Sequence, residues 1–246
     1  MKRDIAFPPW WWGPFGELSE QLPITRLIAD GALDAELAAW LWLLIEAGAS
    51  TIVCAGPSGV GKSTLLTSLL PFLNAERKPY FVRGRYERFD AIDPPAAGTH
   101  ALLINEISAH LPIYLWGPGL ARAHELAHQG AQLMATAHAD TPGELVHQLA
   151  GFPNDLAEGD LACWHLVIFL DAWIANRAVF REIRAVETFL IGADRRLTTR
   201  TLAGRAQRRA SLRLDHAAMS LLVARLGIGD RAAEDVIRRA ALLRAG

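Results

Sequence analysis

The most informative stretch of the sequence is a glycine-rich run of nine residues, GPSGVGKST, that fits the pattern G-x-x-x-x-G-K-[ST]. The glycines let the backbone curl so that successive N–H groups point at phosphate oxygens, and the following helix adds the positive end of its dipole. We expect Lys62 to reach the β- and γ-phosphates and the Ser63 hydroxyl to bind Mg²⁺. The run therefore predicts a site for a nucleoside triphosphate. Its residues are Gly56, Pro57, Ser58, Gly59, Val60, Gly61, Lys62, Ser63 and Thr64.

A second apolar run, LLINE, ends in a carboxylate. Hydrolysis of a bound triphosphate needs a group that orients or deprotonates the attacking water. In open α/β sheets that group comes from the carboxyl end of a neighbouring strand. Glu106 is placed at such an end and is the predicted catalytic base and second Mg²⁺ ligand, with Asn105 beside it. The alternative is a solvated glutamate at the end of a strand.

A histidine, His138, closes the run MATAHAD just before a loop. A lone histidine beside apolar residues is more often a structural residue than a functional one. Here the run predicts a strand that follows the strand of Glu106 along the chain. His138 would then face the same crevice and could sense the γ-phosphate through one hydrogen bond, according to its protonation.

Strands alternate with helices along most of the chain, which predicts an α/β fold with a mostly parallel central sheet. Helices are predicted at 34–47, 62–73, 118–129, 214–226 and 229–244, the first capped by Asp34. Strands are predicted at 50–55, 78–82, 100–105, 131–137, 164–170 and 178–187. The predicted organisation is a tail or linker at 1–33, the nucleotide-binding core at 34–190 and an arginine-rich, helical region at 191–246.

The composition is that of a globular protein. Of 246 residues, 51% are hydrophobic and 21% are charged, which excludes a disordered chain, and the net charge of −1 gives no sign of nucleic-acid binding. The two cysteines lie far apart in apolar runs and are expected to be buried thiols in a reducing compartment. The apolar runs 37–45 and 161–170 are too short to span a bilayer, and no signal peptide is visible. We therefore expect a cytoplasmic protein.

Three motifs in order, GPSGVGKSTLL, LLINEI and GAQLMATAHADTPGELVHQL, resemble those of the type II/type IV secretion ATPase superfamily, in its pilus-assembly and conjugation branch. Gly130, Thr136 and His138 match the histidine box of that superfamily, whereas Ala131 replaces its first histidine. The similarity extends over about 24–190. It implies a P-loop NTPase (RecA-like) core, with ATP and Mg²⁺ as cofactors. It also implies a homo-oligomer, expected to be a hexamer, that acts on an inner-membrane platform protein at the inner face of the membrane.

The sequence departs from that superfamily at several positions. Where the superfamily has an acidic box, Glu-Asp-x-x-Glu, this chain has RGRYE, so that only Glu87 remains as a third candidate catalytic residue. Asn105 and Ser108 replace a glycine and an arginine around Glu106. Residues 1–22, with three consecutive tryptophans at 10–12, are expected to be an apolar tail packed on the domain or on a neighbouring subunit.

Three functions remain open on the sequence. The first is an ATP-hydrolysing motor subunit for pilus or secretion assembly, in which an arginine from 177–213 could contact the γ-phosphate of a neighbouring subunit. The second is a degenerate relative that binds ATP as a regulatory or assembly module and hydrolyses it poorly. The third is a nucleoside monophosphate kinase, because GPSGVGKST also resembles the P-loop of guanylate kinases.

Overall fold

Eight strands form one sheet in a computed structural model that describes residues 5–12 and 21–245. Their order across the sheet is β2-β3-β4-β1-β5-β6-β7-β8. The strands are β1 (Ser50–Cys54), β2 (Lys78–Phe81), β3 (His100–Ile107), β4 (Gln132–Ala137), β5 (Trp164–Ala175), β6 (Ala178–Ile191), β7 (Leu197–Gly204) and β8 (Arg213–Leu214).

Helices cover both faces of this sheet. They are α1 (Ile24–Ala29), α2 (Ala35–Glu46), α3 (Lys62–Leu69), α4 (Pro118–His128), α5 (Pro142–Ala150), α6 (Glu158–Leu161), α7 (His216–Arg225) and α8 (Ala232–Ala245). Helix α2 begins where the sequence predicts, because the Asp34 carboxylate accepts a hydrogen bond of 2.8 Å from the Leu37 N–H. Residues of α2, α3, α7 and α8 pack on one face, and residues of α4, α5 and α6 pack on the other.

The first five strands of the sheet run parallel and confirm the predicted α/β class. Strand β1 is buried along its whole length, between β4 and β5, as its continuous apolar sequence predicts. The phosphate-binding run joins β1 to α3, and β3 lies on the far side of β4. The carboxyl ends of β1, β3 and β4 therefore meet at one edge of the sheet, where ligands of such sheets bind.

The remaining strands extend the sheet in antiparallel fashion. Strands β5 and β6 form a long hairpin, with Ala175 opposite Ala178 next to its turn, and β7 and β8 add to β6. The sequence predicts β6 only as far as 187 and predicts neither β7 nor β8. The predicted domain boundary at 190/191 lies at the end of β6, and β7 and β8 continue the same sheet beyond it.

Residues 5–12 lie against the sheet. Trp11 is only 1% exposed, its indole N–H donates to the Leu103 carbonyl at 2.9 Å, and its ring contacts Phe7 and Phe81. The Asn105 side-chain amide donates to the Trp11 carbonyl. Packing on the domain, as predicted for the tail, thus holds for Trp11, whereas residues 1–4 and 13–20 of the predicted tail lie outside the described residues.

The two apolar runs that are too short to span a bilayer are interior elements of the fold. Run 37–45 lies in α2, and most of run 161–170 lies in β5, where it is largely buried. In the described part of the chain, no helix has both the length and the apolar character needed to cross a bilayer.

Candidate functional site

The phosphate-binding run has the backbone shape that its glycines allow. Gly59 and Gly61 have φ angles of 75° and 108°, in the left-handed region that favours glycine. Gly61 is also the N-cap of α3 and has no side chain to cap the helix. The first N–H groups of α3 therefore have no capping side chain and remain available to an anion at the positive end of the helix dipole.

Lys62, the first residue of α3, has its side chain turned inward toward the ends of the neighbouring strands. It is 7% exposed, and its Nζ lies 3.3 Å from Nδ1 and 3.4 Å from Nε2 of His138. Burial lowers the pKa of Lys62, and the nearby carboxylates of Glu106 and Asp140 act in the opposite direction. The negative charges of these two carboxylates thus favour the ammonium form of Lys62 inside the cleft.

His138 connects the phosphate-binding run to the end of β3. Its Nδ1 lies 2.8 Å from the Gly56 carbonyl oxygen, which can only accept, so Nδ1 carries a proton. Its Nε2 lies 3.3 Å from Oε2 of Glu106. The hydrogen bond to Glu106 raises the pKa of His138 above its ordinary value, against burial and the charge of Lys62. The structure thus places His138 between the first residue of the phosphate-binding run and the end of β3.

Glu106 is almost fully buried at the end of β3. Its Oε2 faces His138, whereas its Oε1 has no hydrogen-bond partner among the residues that the structure describes. Thr136 donates to the Asn105 carbonyl at 2.6 Å and so ties the end of β4 to the backbone beside Glu106. A buried, unpaired carboxylate oxygen is costly in an empty cleft and suits a water or a metal ion held there.

Mg²⁺ fits the oxygen groups at this place. Glu106 offers its unpaired carboxylate oxygen, and Ser63, partly exposed in the first turn of α3, offers a hydroxyl. Mg²⁺ in nucleotide sites is usually held by one or two such protein oxygens together with substrate phosphates and water. The described residues include no group of three or more His, Cys, Asp or Glu side chains able to hold a metal ion.

Asp140, which was not predicted from the sequence, forms a hydrogen bond with the first residue of the phosphate-binding run. The Gly56 N–H donates to Oδ1 of Asp140 at 2.7 Å, and a Cβ at Gly56 would overlap the same carboxylate. The Asp140 N–H donates to Glu144, and its carbonyl accepts from Arg184 of β6. The position two residues after His138, directly before α5, was the available signal in the sequence.

Arg181 of β6 was also missed, because its place depends on how the β5–β6 hairpin pairs. Its Nη2 lies 3.4 Å from the Gly59 carbonyl oxygen. Its Cδ lies 3.1 Å from where a Cβ on Gly61 would be. The arginine therefore contacts the phosphate-binding run of its own chain.

Glu87 lies in a different set of contacts from the other predicted catalytic residues. Its Oε1 accepts from the Tyr80 hydroxyl at 2.9 Å and from the Phe89 N–H at 2.9 Å, and its Oε2 accepts from the Arg83 N–H at 3.0 Å. These hydrogen bonds join Glu87 to β2, through Tyr80, and to the loop that follows this strand. They give Glu87 the role of a loop anchor, and they lend no support to its predicted catalytic role.

The other residues of the run take up ordinary positions. Pro57 and Ser58 are exposed, Val60 is buried in the core cluster under α3, and the Thr64 carbonyl accepts from the Thr67 and Ser68 hydroxyls. The structure thus brings Lys62, Glu106 and His138 together at the run, with Ser63 at the start of the same helix.

Comparisons with known proteins give limited similarity. No protein-family model matches the chain. An uncharacterized protein of Methanocaldococcus jannaschii, MJ0900, is 40% identical over 57 residues, which make up 23% of this chain and 10% of that protein. The Legionella pneumophila ATPase DotB aligns over 82% of this chain and 55% of the DotB chain, with 18% identity and a TM-score of 0.36. The chain spans a small part of the first protein and about half of the second, and neither similarity assigns it to a family.

Proposed function

We propose that the protein is a P-loop ATPase that binds MgATP and hydrolyses the bond between the β- and γ-phosphates. The observation that carries the proposal is the convergence of Lys62, Glu106 and His138 on one phosphate-binding run. A chance glycine-rich turn would not explain a buried lysine beside an imidazole that itself contacts a buried carboxylate. Perturbed ionisable groups that cluster in a cleft are typical of functional sites.

The roles follow from the contacts. The backbone N–H groups at the start of α3 bind phosphate oxygens, and Lys62 moves from His138 to the β- and γ-phosphates. Glu106 orients and deprotonates the attacking water through its unpaired Oε1. His138, with one nitrogen fixed by the Gly56 carbonyl, offers its other nitrogen to the γ-phosphate or to Glu106. Ser63 and Glu106 would hold Mg²⁺, which would supply positive charge that offsets the charge of the phosphates.

The cellular role proposed for this activity comes from the order of motifs in the sequence. In that proposal the chain is the motor subunit of a secretion or pilus assembly system, assembles with copies of itself as a hexamer and acts on a membrane platform protein from the cytoplasmic side. Each ATP would have to bind one conformation of the ring better than another, since only differential binding shifts such an equilibrium. No nucleic-acid partner is proposed.

One observation favours a second candidate, an ATP-binding regulatory module with little hydrolysis. Glu87, the last acidic residue of the expected box, makes its hydrogen bonds with Tyr80 of β2 and with the loop that follows this strand. If hydrolysis in this type of site needs a carboxylate besides Glu106, this chain lacks one at the expected place. ATP binding with negligible turnover would identify this second function.

A steady-state ATPase assay tests the proposal. We expect turnover in the wild-type chain, its loss in Lys62→Ala, and a loss of at least about 100-fold in Glu106→Gln with ATP binding retained, as for removal of a general base. Glu234→Gln, an exposed glutamate of α8, is the matched control and should behave as the wild type. Turnover that survives both K62A and E106Q would refute hydrolysis at this site.

Two further measurements separate the alternatives. Gel filtration with and without a non-hydrolysable ATP analogue tests the ring, and a strict monomer under both conditions contradicts the motor role while leaving the ATPase intact. Phosphate transfer from ATP to GMP tests the kinase alternative, for which we expect no activity above that of K62A.

A further inference from the structure

We propose that Arg181 is a second cation of the triphosphate site, supplied by the same chain, and that it binds oxygens of the polyphosphate together with Lys62. This inference rests on the proposed function, because it concerns the same phosphate-binding run. It names a nucleotide-binding residue outside the motif, on the antiparallel hairpin that follows the parallel sheet.

The position of Arg181 carries the first step. The Arg181 side chain extends from β6 along the run, with its Cδ 3.1 Å from the Cβ position of Gly61 and its Nη2 3.4 Å from the Gly59 carbonyl oxygen. Gly61 is the N-cap of α3, and its lack of a side chain leaves the space that the arginine uses. The guanidinium therefore lies at the same helix N-terminus that the phosphates are proposed to occupy.

The charge of Arg181 has no acidic partner in the structure. Other arginines of this region form ion pairs, Arg205 with Glu182 at 3.5 Å and Arg208 with Asp171 at 2.7 Å. Within residues 5–12 and 21–245, no carboxylate lies within ion-pair distance of Arg181, whose one hydrogen bond is the long contact to Gly59. The exposed guanidinium thus has most of its five donors free for an anion.

The charges at the N-terminus of α3 also favour an anionic ligand. Arg181 lies at the positive end of the α3 dipole, where cations are unfavourable and anions are favourable. Lys62 adds another positive charge in the first turn of the same helix. Two cations at one helix N-terminus are unfavourable without an anion and become favourable when a polyphosphate binds between them. The arrangement is therefore explained by binding of an anion with several charges, and not by stability of the free chain.

The chemistry of the side chain agrees with that ligand. A guanidinium is planar, stays charged and donates two parallel hydrogen bonds to the oxygens of a phosphate. Such a residue favours the ligand with the most phosphate oxygens, so the gain should be larger for ATP than for ADP. It would also make nucleotide binding sensitive to the position of the β5–β6 hairpin, which carries the arginine.

Isothermal titration calorimetry of MgATP and MgADP with the wild type, Arg181→Gln and Arg181→Lys tests the inference. We expect R181Q to weaken ATP binding roughly tenfold, which is the effect of losing one charge-assisted hydrogen bond. ADP binding should weaken less, and R181K, which keeps the charge but not the pair of parallel donors, should recover only part of the ATP affinity. Arg213→Gln removes an exposed arginine from β8 of the same sheet and should leave both affinities unchanged.

Thermal unfolding without nucleotide, followed by circular dichroism, separates a role of Arg181 in ligand binding from a role in stabilising the fold. If Arg181 is a ligand, R181Q should melt at or above the wild-type temperature, because it removes a cation from the helix N-terminus. A melting temperature that is several degrees lower, or ATP affinity equal to that of the wild type, overturns the inference. If ATP binding depends on Lys62 but not on Arg181, the inference about Arg181 is overturned and the proposed function stands. A wild type that binds no ATP contradicts the proposed function as well.

Discussion

Nε2 of His138 and Oε2 of Glu106 lie 3.3 Å apart, although the two residues end different strands and are separated by more than thirty positions in the sequence. The contact exists because β3 and β4 are parallel neighbours whose carboxyl ends meet at one edge. It places an imidazole and a carboxylate side by side, with the Lys62 ammonium beside the imidazole. Four predictions concern this cluster and the residues around it.

The stability of the fold should depend on the protonation of His138. Its pKa is raised, chiefly by Glu106, so the protonated imidazole is favoured in the folded chain. This contribution is fully present below about pH 6.5, the pKa of an unfolded histidine, and is lost as the pH rises through the higher folded value. The free energy of unfolding in urea should therefore differ between wild type and His138→Gln at acidic pH, and the difference should shrink toward pH 9. The exposed His147→Gln is the control, and a difference that stays constant with pH would contradict the prediction.

An alanine at Gly56 should abolish ATP binding. A Cβ there would overlap the Asp140 carboxylate that accepts the Gly56 N–H, so the start of the run must shift. At Gly59 a Cβ meets open space, and Gly59→Ala should cost only about 1 kcal/mol through its positive φ. ATP affinities from calorimetry should then rank wild type, G59A and G56A in descending order. The double variant Gly56→Ala/Asp140→Gly should bind better than G56A, and equal losses in the two would argue against the overlap.

Trp11 should contribute to stability through a buried hydrogen bond as well as through its ring. Trp11→Phe keeps much of the aromatic packing but leaves the Leu103 carbonyl without the indole donor, at a cost of about 1–2 kcal/mol. Trp11→Ala should cost about 3–5 kcal/mol through the cavity it leaves. Urea unfolding measures both, and Trp10→Phe, at a tryptophan that is 44% exposed, is the control. A W11F chain as stable as the wild type would show that residues 5–12 are not held in this way.

Glu87 should matter for the loop after β2 and not for the chemical step. Glu87→Ala removes the acceptor of the Tyr80 hydroxyl and of three backbone N–H groups, which should cost about 1–3 kcal/mol. Burial and Glu87 together raise the pKa of Tyr80 to about 12, so E87A should also lower the pH at which this tyrosine ionises. Turnover per folded molecule should stay close to wild type. A folded E87A chain without turnover would restore the catalytic role that the sequence suggested.

The sequence was sufficient for those parts of the site that follow from strand order. Residues at the ends of buried strands had to meet at one edge once the sheet was parallel, so Glu106 and His138 could be placed beside Lys62 before the structure was known. Strand β1 and helix α2 were equally readable, one from a continuous apolar run and the other from its Asp34 cap.

The parts that the sequence did not reveal depend on long-range register. Arg181 reaches the run, and Arg184 reaches Asp140, only because β6 turns back on β5 with Ala175 opposite Ala178, and arginines alone give no sign of such a pairing. Strand β7 was missed because its sequence, LTTRTLAG, is largely polar and buries only Leu202 and Ala203. Glu87 matched a motif position, yet the loop around it satisfies its own N–H groups with that carboxylate, and only the folded loop reveals this.

The contact between Asn105 and Trp11 has a practical consequence. Asn105 holds the Trp11 carbonyl with its side chain, while its own backbone is continuous with Glu106. A displacement of the end of β3 when nucleotide binds must therefore change the surroundings of a buried indole. Trp11 can therefore serve as an intrinsic fluorophore that reports on the end of β3. The emission of Trp11 can be isolated by subtracting the spectrum of a W11F chain. Nucleotide binding in the cleft can thus be followed by fluorescence without attaching a label.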